Sequence, residues 1–147
     1  MKGSYLGPEY SQDQIEKDLK DLGAVFKTLS EEHLIEKVSS DLANNDAIGW
    51  FQGRMEFGPR ALGSRSIIGN PQSSEMQKNL NLKVKYRESF RPFAPSVLKE
   101  DLSEWFDMDC ESPYMLLVAK INQNKQIEMT RDEKNLFGID KLNIRRS

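Results

Sequence analysis

Apolar positions along this chain follow two different spacings, and the spacing predicts where helices and strands begin. Ile15, Leu19 and Leu22 recur at helical intervals. Ser11 with Gln14 forms a capping-box pattern ahead of them, and Gly23 stands where a helix would stop. A second stripe, Leu34, Ile35, Val38 and Leu42, follows Ser30 as N-cap and Glu31-Glu32 as an acidic first turn, and ends near Asn44-Asn45. Shorter apolar runs predict strands at Ala24–Leu29, Ala47–Phe51, Arg65–Gly69, Phe93–Leu98 and Tyr114–Ile121. Between the second and third of these, Gln52–Ser64 holds Gly53, Gly58, Pro59 and Gly63, too many breakers for anything but a structured loop. The stretch Met76–Arg87 fits both periods: Leu80, Leu82, Val84 and Tyr86 alternate, while Met76, Leu80 and Val84 share a helical face. Asn70-Pro71, read as an N-cap with proline at the first helical position, and the helix formers Glu75, Met76, Gln77 and Lys78 decide for a helix that frays before Arg87. Asp101–Phe106 predicts a short helix; the segment after Asn122 is polar. The first ten residues, with Gly3, Gly7 and Pro8, read as a connector.

Helices and strands alternate here without a strict βαβ rhythm, which predicts an α/β chain of the α+β kind, a mixed twisted sheet flanked by helices. A length of 147 residues suits one domain, and 37% hydrophobic with 30% charged residues describes a globular chain with a wet surface. Cys110 is the only cysteine and His33 the only histidine, so no intrachain disulfide can form, and no metal site is expected. There is no apolar run of about 18 residues and no secretory pattern behind Met1, so no membrane association and a cytoplasmic location are expected. The net charge of −2 is unevenly spread: from Gly53 to Arg91 eight basic residues face three acidic ones, a local +5. Charge alone is compatible with solvated surface, but a basic island in an acidic chain fits a small phosphorylated ligand better than a nucleic acid, which needs a broad positive face.

Two strings concentrate that charge on stiff backbone. The first runs Gly53-Arg54-Met55-Glu56-Phe57-Gly58-Pro59-Arg60-Ala61-Leu62-Gly63-Ser64-Arg65-Ser66, the second Lys85-Tyr86-Arg87-Glu88-Ser89-Phe90-Arg91-Pro92-Phe93-Ala94-Pro95. Glycine lets main-chain N–H groups approach an anion, proline presets the loop, and arginine offers a planar fork of donors to phosphate oxygens. Together they describe an oxyanion receptor suited to phosphoryl or acyl-phosphate chemistry, in which positioning and positive charge are the apparatus. Phe90 and Phe93 are expected in the core and Tyr86 is open between core and ligand wall. Neither phosphate-binding glycine pattern, Gly-x-x-x-x-Gly-Lys-Ser/Thr or Gly-x-Gly-x-x-Gly, is present. Ser64 and Ser66 have only His33 as a conceivable base, and His33 reads as a surface residue of the second helix. Glu104, Asp107, Asp109 and Glu111 lack an EF-hand pattern and read as a solvated edge.

The two strings resemble those of the O-carbamoyltransferases of nodulation-factor and antibiotic biosynthesis, and the similarity extends from Leu6-Gly7-Pro8 through Ser112-Pro113-Tyr114-Met115. The resemblance implies a two-domain enzyme with an N-terminal actin/hexokinase-type domain carrying a metal site and a C-terminal YrdC-like domain. Residues 1–10 would then be a linker from the missing first domain, and residues 11–147 an incomplete YrdC-like domain, since the family's later Thr-His-Val-Asp and Asn-Thr-Ser-Phe-Asn segments do not follow before Arg145-Arg146-Ser147. In such enzymes the YrdC-like domain joins carbamoyl phosphate and ATP, with Mg2+ accompanying ATP, into carbamoyl adenylate, and the other domain passes the carbamoyl group to an acceptor hydroxyl. Carried onto this chain, the resemblance implies Lys85 and Arg91 as holders of carbamoyl phosphate and Arg60 as a catalytic stabiliser of phosphate charge. It further implies Arg54, Ser64, Arg65, Tyr86 and Arg87 in substrate and ATP binding. Complete transfer by this chain alone is not expected. Against this stand a phosphate- or nucleotide-binding module without chemistry and an RNA-binding YrdC-like domain, the latter disfavoured by the acidic remainder. A truncated sheet would also leave an edge open to a second copy of the chain.

Overall fold

The structure, a computed structural model, describes residues 3–142, 144 and 146. Of the expected connector, Met1 and Lys2 lie outside the described residues, as do Arg145 and Ser147 of the closing sequence. The chain divides into two compact units, one reaching to Asn70 and one starting at Pro71.

In the first unit, α1 (Gln12–Asp21) and α2 (Glu31–Ala43) form where the capping chemistry predicts. The Ser11 hydroxyl accepts from the Gln14 N–H, and the Ser30 hydroxyl from the His33 N–H, so each helix start satisfies one of its orphan donors. Both helices end in the same way. After α1, Gly23 takes a left-handed φ of 68°, its N–H donates to the Lys20 carbonyl and the Ala24 N–H to that of Leu19. After α2, Asn45 takes that role at φ 66°, with Asn45 donating to Leu42 and Asp46 to Asp41. The segment Ala24–Leu29, expected as a strand, takes no regular structure and pairs with nothing in the sheet, and Val25 is fully exposed.

Two strands follow, β1 (Ile48–Phe51) and β2 (Arg65–Ile68), paired antiparallel in the register Ile48↔Ile68 to Phe51↔Arg65. The pairing joins the two ends of the loop 52–64 and sets Arg65 opposite Phe51, where its guanidinium lies 3.4 Å from the ring centroid. The early residues are tied to that loop: Gly7 donates to the Met55 carbonyl, Met55 to that of Pro8, and Phe57 to that of Ser4. Gly7 passes so close to Met55 that a Cβ there would sit 2.9 Å from the Met55 backbone oxygen, so the contact admits only glycine.

The second unit is built on α3 (Met76–Asn79), which runs directly into a π-helical turn at Leu80–Val84. Met76 and Leu80, one helical turn apart, are its buried apolar residues, whereas Leu82 and Val84 are exposed, so the helical period prevails over the alternating one. The helix starts later than Asn70-Pro71 predicts: residues 71 and 72 form a turn, and the Asn70 amide reaches back to the Asn45 side chain at 3.1 Å. Lys99–Asp101 is a 3₁₀ turn that leads into α4 (Leu102–Trp105). Asn122 closes the end of α4, its amide donating to the carbonyls of Ser103 and Glu104. The expected strands Phe93–Leu98 and Tyr114–Ile121 form no ladder: Tyr114 and Met115 lie in a turn, with Met115 at a left-handed φ of 54°, and a single bridge joins Ile121 to Phe106. The polar stretch after Asn122 contains α5 (Arg131–Asn135), opened by a complete Thr130–Glu133 capping box, and then α6 (Ile139–Leu142). The class is α+β, and the sheet among the described residues is one antiparallel pair. No helix among them is long and apolar enough to cross a membrane.

Candidate functional site

The first string lies in the first unit and the second in the second, and each is a loop closed around one buried polar side chain. In the first loop that residue is Glu56, 4% exposed. Its Oε1 accepts from the backbone N–H groups of Leu62 and Ser64, each at 2.7 Å, and of Arg65 at 3.3 Å. Burial pushes the Glu56 carboxyl up, but donation from its own N–H and those of Ser64, Leu62 and Arg65 outweighs this and holds it below the usual glutamate range. The main-chain donors that the sequence offers to an external anion are thus occupied by an internal one.

This closure sorts the cations of the first loop. Arg65 is turned inward, donating to the carbonyls of Gln52, Gly53, Ser64 and Pro8 at 2.8–3.3 Å while stacked on Phe51. Arg54 donates to the Gly7 carbonyl and pairs with Glu9 at 3.4 Å. Ser64 is buried and contributes its main chain, donating to Glu56 and accepting from Gln52 and Arg65. Arg60, at the tip, is exposed and has no hydrogen-bond or ion-pair partner among the described residues. His33 stays on α2 with its ring 2.8 Å from the Ser30 hydroxyl, so it forms no pair with Ser64.

The second loop turns on Asn81, whose side chain is fully buried in the π turn. Its amide nitrogen donates to the carbonyls of Ser89 at 3.1 Å and Arg91 at 2.8 Å, its side-chain oxygen accepts from Arg87 Nε at 2.6 Å, and its carbonyl accepts from the Arg87 N–H at 2.9 Å. Gln77, one helical turn earlier, adds bonds to the carbonyls of Phe90 and Arg91 at 3.2 and 3.1 Å. Nothing in the sequence pattern separates this asparagine from Asn79 two positions earlier; its place in the π turn is what differs.

Around this brace the candidate residues take different roles. Arg87 is half-buried, bonded to Asn81 and 5.0 Å from the Phe93 ring centroid. Tyr86 is 86% exposed on a left-handed φ of 50°, a conformation costly for an aromatic residue that the surrounding bonds hold in place. Lys85 is exposed, its side chain without a partner among the described residues. Arg91 is half-exposed and pairs with Glu88 at 2.8 Å. Glu88 is held below the usual range, first by its own backbone N–H and then by Arg91. Phe90 and Phe93 are exposed at 43% and 36%, against the expectation that they fill the core: this unit's buried apolar residues, Met76 and Leu80, come from α3 and the π turn instead. In the acidic stretch, Glu104 and Glu111 are paired with Lys125 and Lys99.

Residues 39–134, which include both loops, match the family described as Carbamoyltransferase C-terminus. The chain belongs to that family. It is 54% identical over its whole length to an uncharacterized protein of Synechocystis sp., covering 24% of that protein. It is 39% identical over 82% of its length to the nodulation protein NolO of Bradyrhizobium diazoefficiens, covering 23% of it. Over 61% of its length it is 42% identical to the 3'-hydroxymethylcephem-O-carbamoyltransferase of Streptomyces clavuligerus, covering 17% of that enzyme. The chain thus spans about a quarter or less of these relatives. In this carbamoyltransferase C-terminus chain, two internal braces, Glu56 and Asn81, consume the inward-facing polar groups and leave Arg60, Lys85 and part of Arg91 facing solvent.

Proposed function

We propose that this chain is the part of an O-carbamoyltransferase that binds carbamoyl phosphate and MgATP and, with one water that cleaves the acyl phosphate to carbamate and phosphate, forms carbamoyl adenylate and pyrophosphate; the remainder of a longer protein then passes the carbamoyl group to the hydroxyl of an acceptor substrate. The observation that carries this reading is the contrast among the cations: Arg65 and Arg87 are spent on internal contacts, whereas Lys85 and Arg60 project from braced loops with no side-chain partner among the described residues. An exposed cation held on stiff backbone, without an internal counter-ion, is what a phosphorylated ligand needs, since its ordering cost has already been met in folding. In this reading Lys85 and Arg91 hold carbamoyl phosphate, with Glu88 keeping the Arg91 head oriented until a ligand engages its remaining donors. Arg60, on the first unit, is read as a stabiliser of phosphate charge. Arg54, Ser64, Arg65 and Arg87 act behind them by fixing the loops, and Tyr86 offers an exposed ring to the adenine. The binding of both substrates and the assignment of these residues rest on the two strings and the family membership.

The test is calorimetric titration of carbamoyl phosphate, then of MgATP, into the purified chain and its Lys85→Ala and Arg60→Ala variants. Saturable binding that Lys85→Ala weakens at least tenfold supports the reading, a loss of about 1.4 kcal/mol or more. Heat unchanged by either substitution would overturn it.

A further inference from the structure

We infer that Asn81, assisted by Gln77, is the positioning residue of the anion-binding loop, setting Lys85 and Arg91 in register without touching ligand; the inference rests on the proposed carbamoyl phosphate site. Lys85 and Arg91 are six positions apart on a segment with no regular structure after residue 84, and neither side chain is held by packing. Apart from the Glu88 pair on the Arg91 head, their geometry comes from the backbone. At one end, the Lys85 N–H closes the π turn on the Leu80 carbonyl at 2.9 Å. At the other, the Arg91 carbonyl accepts from both Asn81 at 2.8 Å and Gln77 at 3.1 Å. Between them Asn81 takes the Ser89 carbonyl and the Arg87 side chain and N–H, so one buried residue sets three points of the loop.

The residue type is specific to the task. The brace needs two donors toward carbonyls and one acceptor toward a guanidinium from the same planar head, which asparagine provides and aspartate does not. The π turn supplies the rest: its extra residue, accommodated within Leu80–Val84, rotates Asn81 into the interior, where its bonds are shielded from water. Gln77, whose side chain is exposed, backs the Arg91 carbonyl from outside and adds a bond to that of Phe90.

The experiment measures two things on the full chain and on Asn81→Ala, Asn81→Asp and Gln77→Ala: amide hydrogen exchange at Lys85, Arg87 and Arg91, and affinity for carbamoyl phosphate well below the melting temperature. Exchange at these three amides should quicken by about tenfold in Asn81→Ala and about threefold in Gln77→Ala, while amides of α1 and α2 stay unchanged. Affinity should fall by about the same factors, and the loss should disappear in a Lys85→Ala/Arg91→Ala background, where there is nothing left to position. A role confined to stability would lower the melting temperature and leave affinity at low temperature untouched, and that result overturns the inference. Asn81→Asp should bind no better than Asn81→Ala. If the Asn81 variants do not fold, Gln77→Ala decides alone, since its exposed side chain is no part of the core. If the folded wild-type chain binds no carbamoyl phosphate, the functional reading fails by itself; unquickened exchange in Gln77→Ala then overturns the brace as well.

Discussion

The two loops solve the same problem with opposite chemistry. In the loop 52–64 the buried side chain is an acceptor: the Glu56 carboxylate gathers main-chain N–H groups that point inward. In the loop 85–95 it is chiefly a donor: the Asn81 amide gathers main-chain carbonyls. The first loop is therefore rich in inward-facing N–H groups and neutralises them with an ionised group, while the second turns its carbonyls inward and needs a neutral one. The difference teaches why strings that look alike, glycine, proline and arginine in both, behave differently. A closure that depends on a charge responds to pH and to neutralisation; one that depends on an amide responds only to loss of shape or of donor capacity.

The largest effect expected is from Glu56→Ala, which leaves three main-chain donors buried without an acceptor and should destabilise the first unit by about 3 kcal/mol, given about 1–3 kcal/mol for an unsatisfied buried group. Exchange at Leu62 and Ser64 would report it, and wild-type protection there would mean that the carboxylate does not close the loop. Next is Asn81→Asp, which sets a carboxylate oxygen against the Ser89 and Arg91 carbonyls and should cost about 2 kcal/mol in the second unit, partly offset by its attraction to Arg87. Denaturant unfolding followed at Trp105 would measure that loss.

Acid separates the loops further. Folding holds Glu56 ionised below the pH at which the unfolded chain would protonate it, so its contribution is complete above the usual glutamate range. As pH falls through that range the unfolded state binds the extra proton first, and the contribution shrinks until the folded loop itself protonates. Amide exchange at Leu62 and Ser64 should accordingly lose protection on acidification, relative to the intrinsic rate, while that at Arg87, bonded to the Asn81 carbonyl, should not. Glu88 also titrates low, but on the exposed rim and not in the brace. Equal loss at both loops would erase the contrast. The smallest structural effect is from Lys85→Ala: an exposed, unpartnered side chain should leave the melting temperature unmoved and alter carbamoyl phosphate binding alone.

Helix ends were readable residue by residue because their chemistry is local. Ser11 and Ser30 meet N–H groups three positions on, and Gly23 and Asn45 close the other ends through bonds within a single turn. Thr130 with Glu133 carries the same signal, and attention to that pair within the polar tail would have located α5. The two loops were legible as stiff and basic, since glycine, proline and arginine declare themselves in one dimension. Less legible was which cation faces which way, because Arg60 and Arg65 are equivalent as letters and differ only in that Arg65 sits opposite Phe51 across β1 and β2.

By itself, then, the sequence determined α1 and α2, the two strands that flank the first motif loop, the two motif loops and the family to which they belong, all of them encoded in contacts between near neighbours or in the strings themselves. Only the tertiary structure decided that Glu56 and Asn81 are the buried pivots, that Arg65 and Arg87 are anchors while Arg60 and Lys85 remain outside, and that the apolar runs at 93–98 and 114–121 pair with no sheet strand. The reason is physical: caps and turns are satisfied within a few residues, whereas burial, ladder pairing and the direction of a π turn depend on which distant groups arrive beside them.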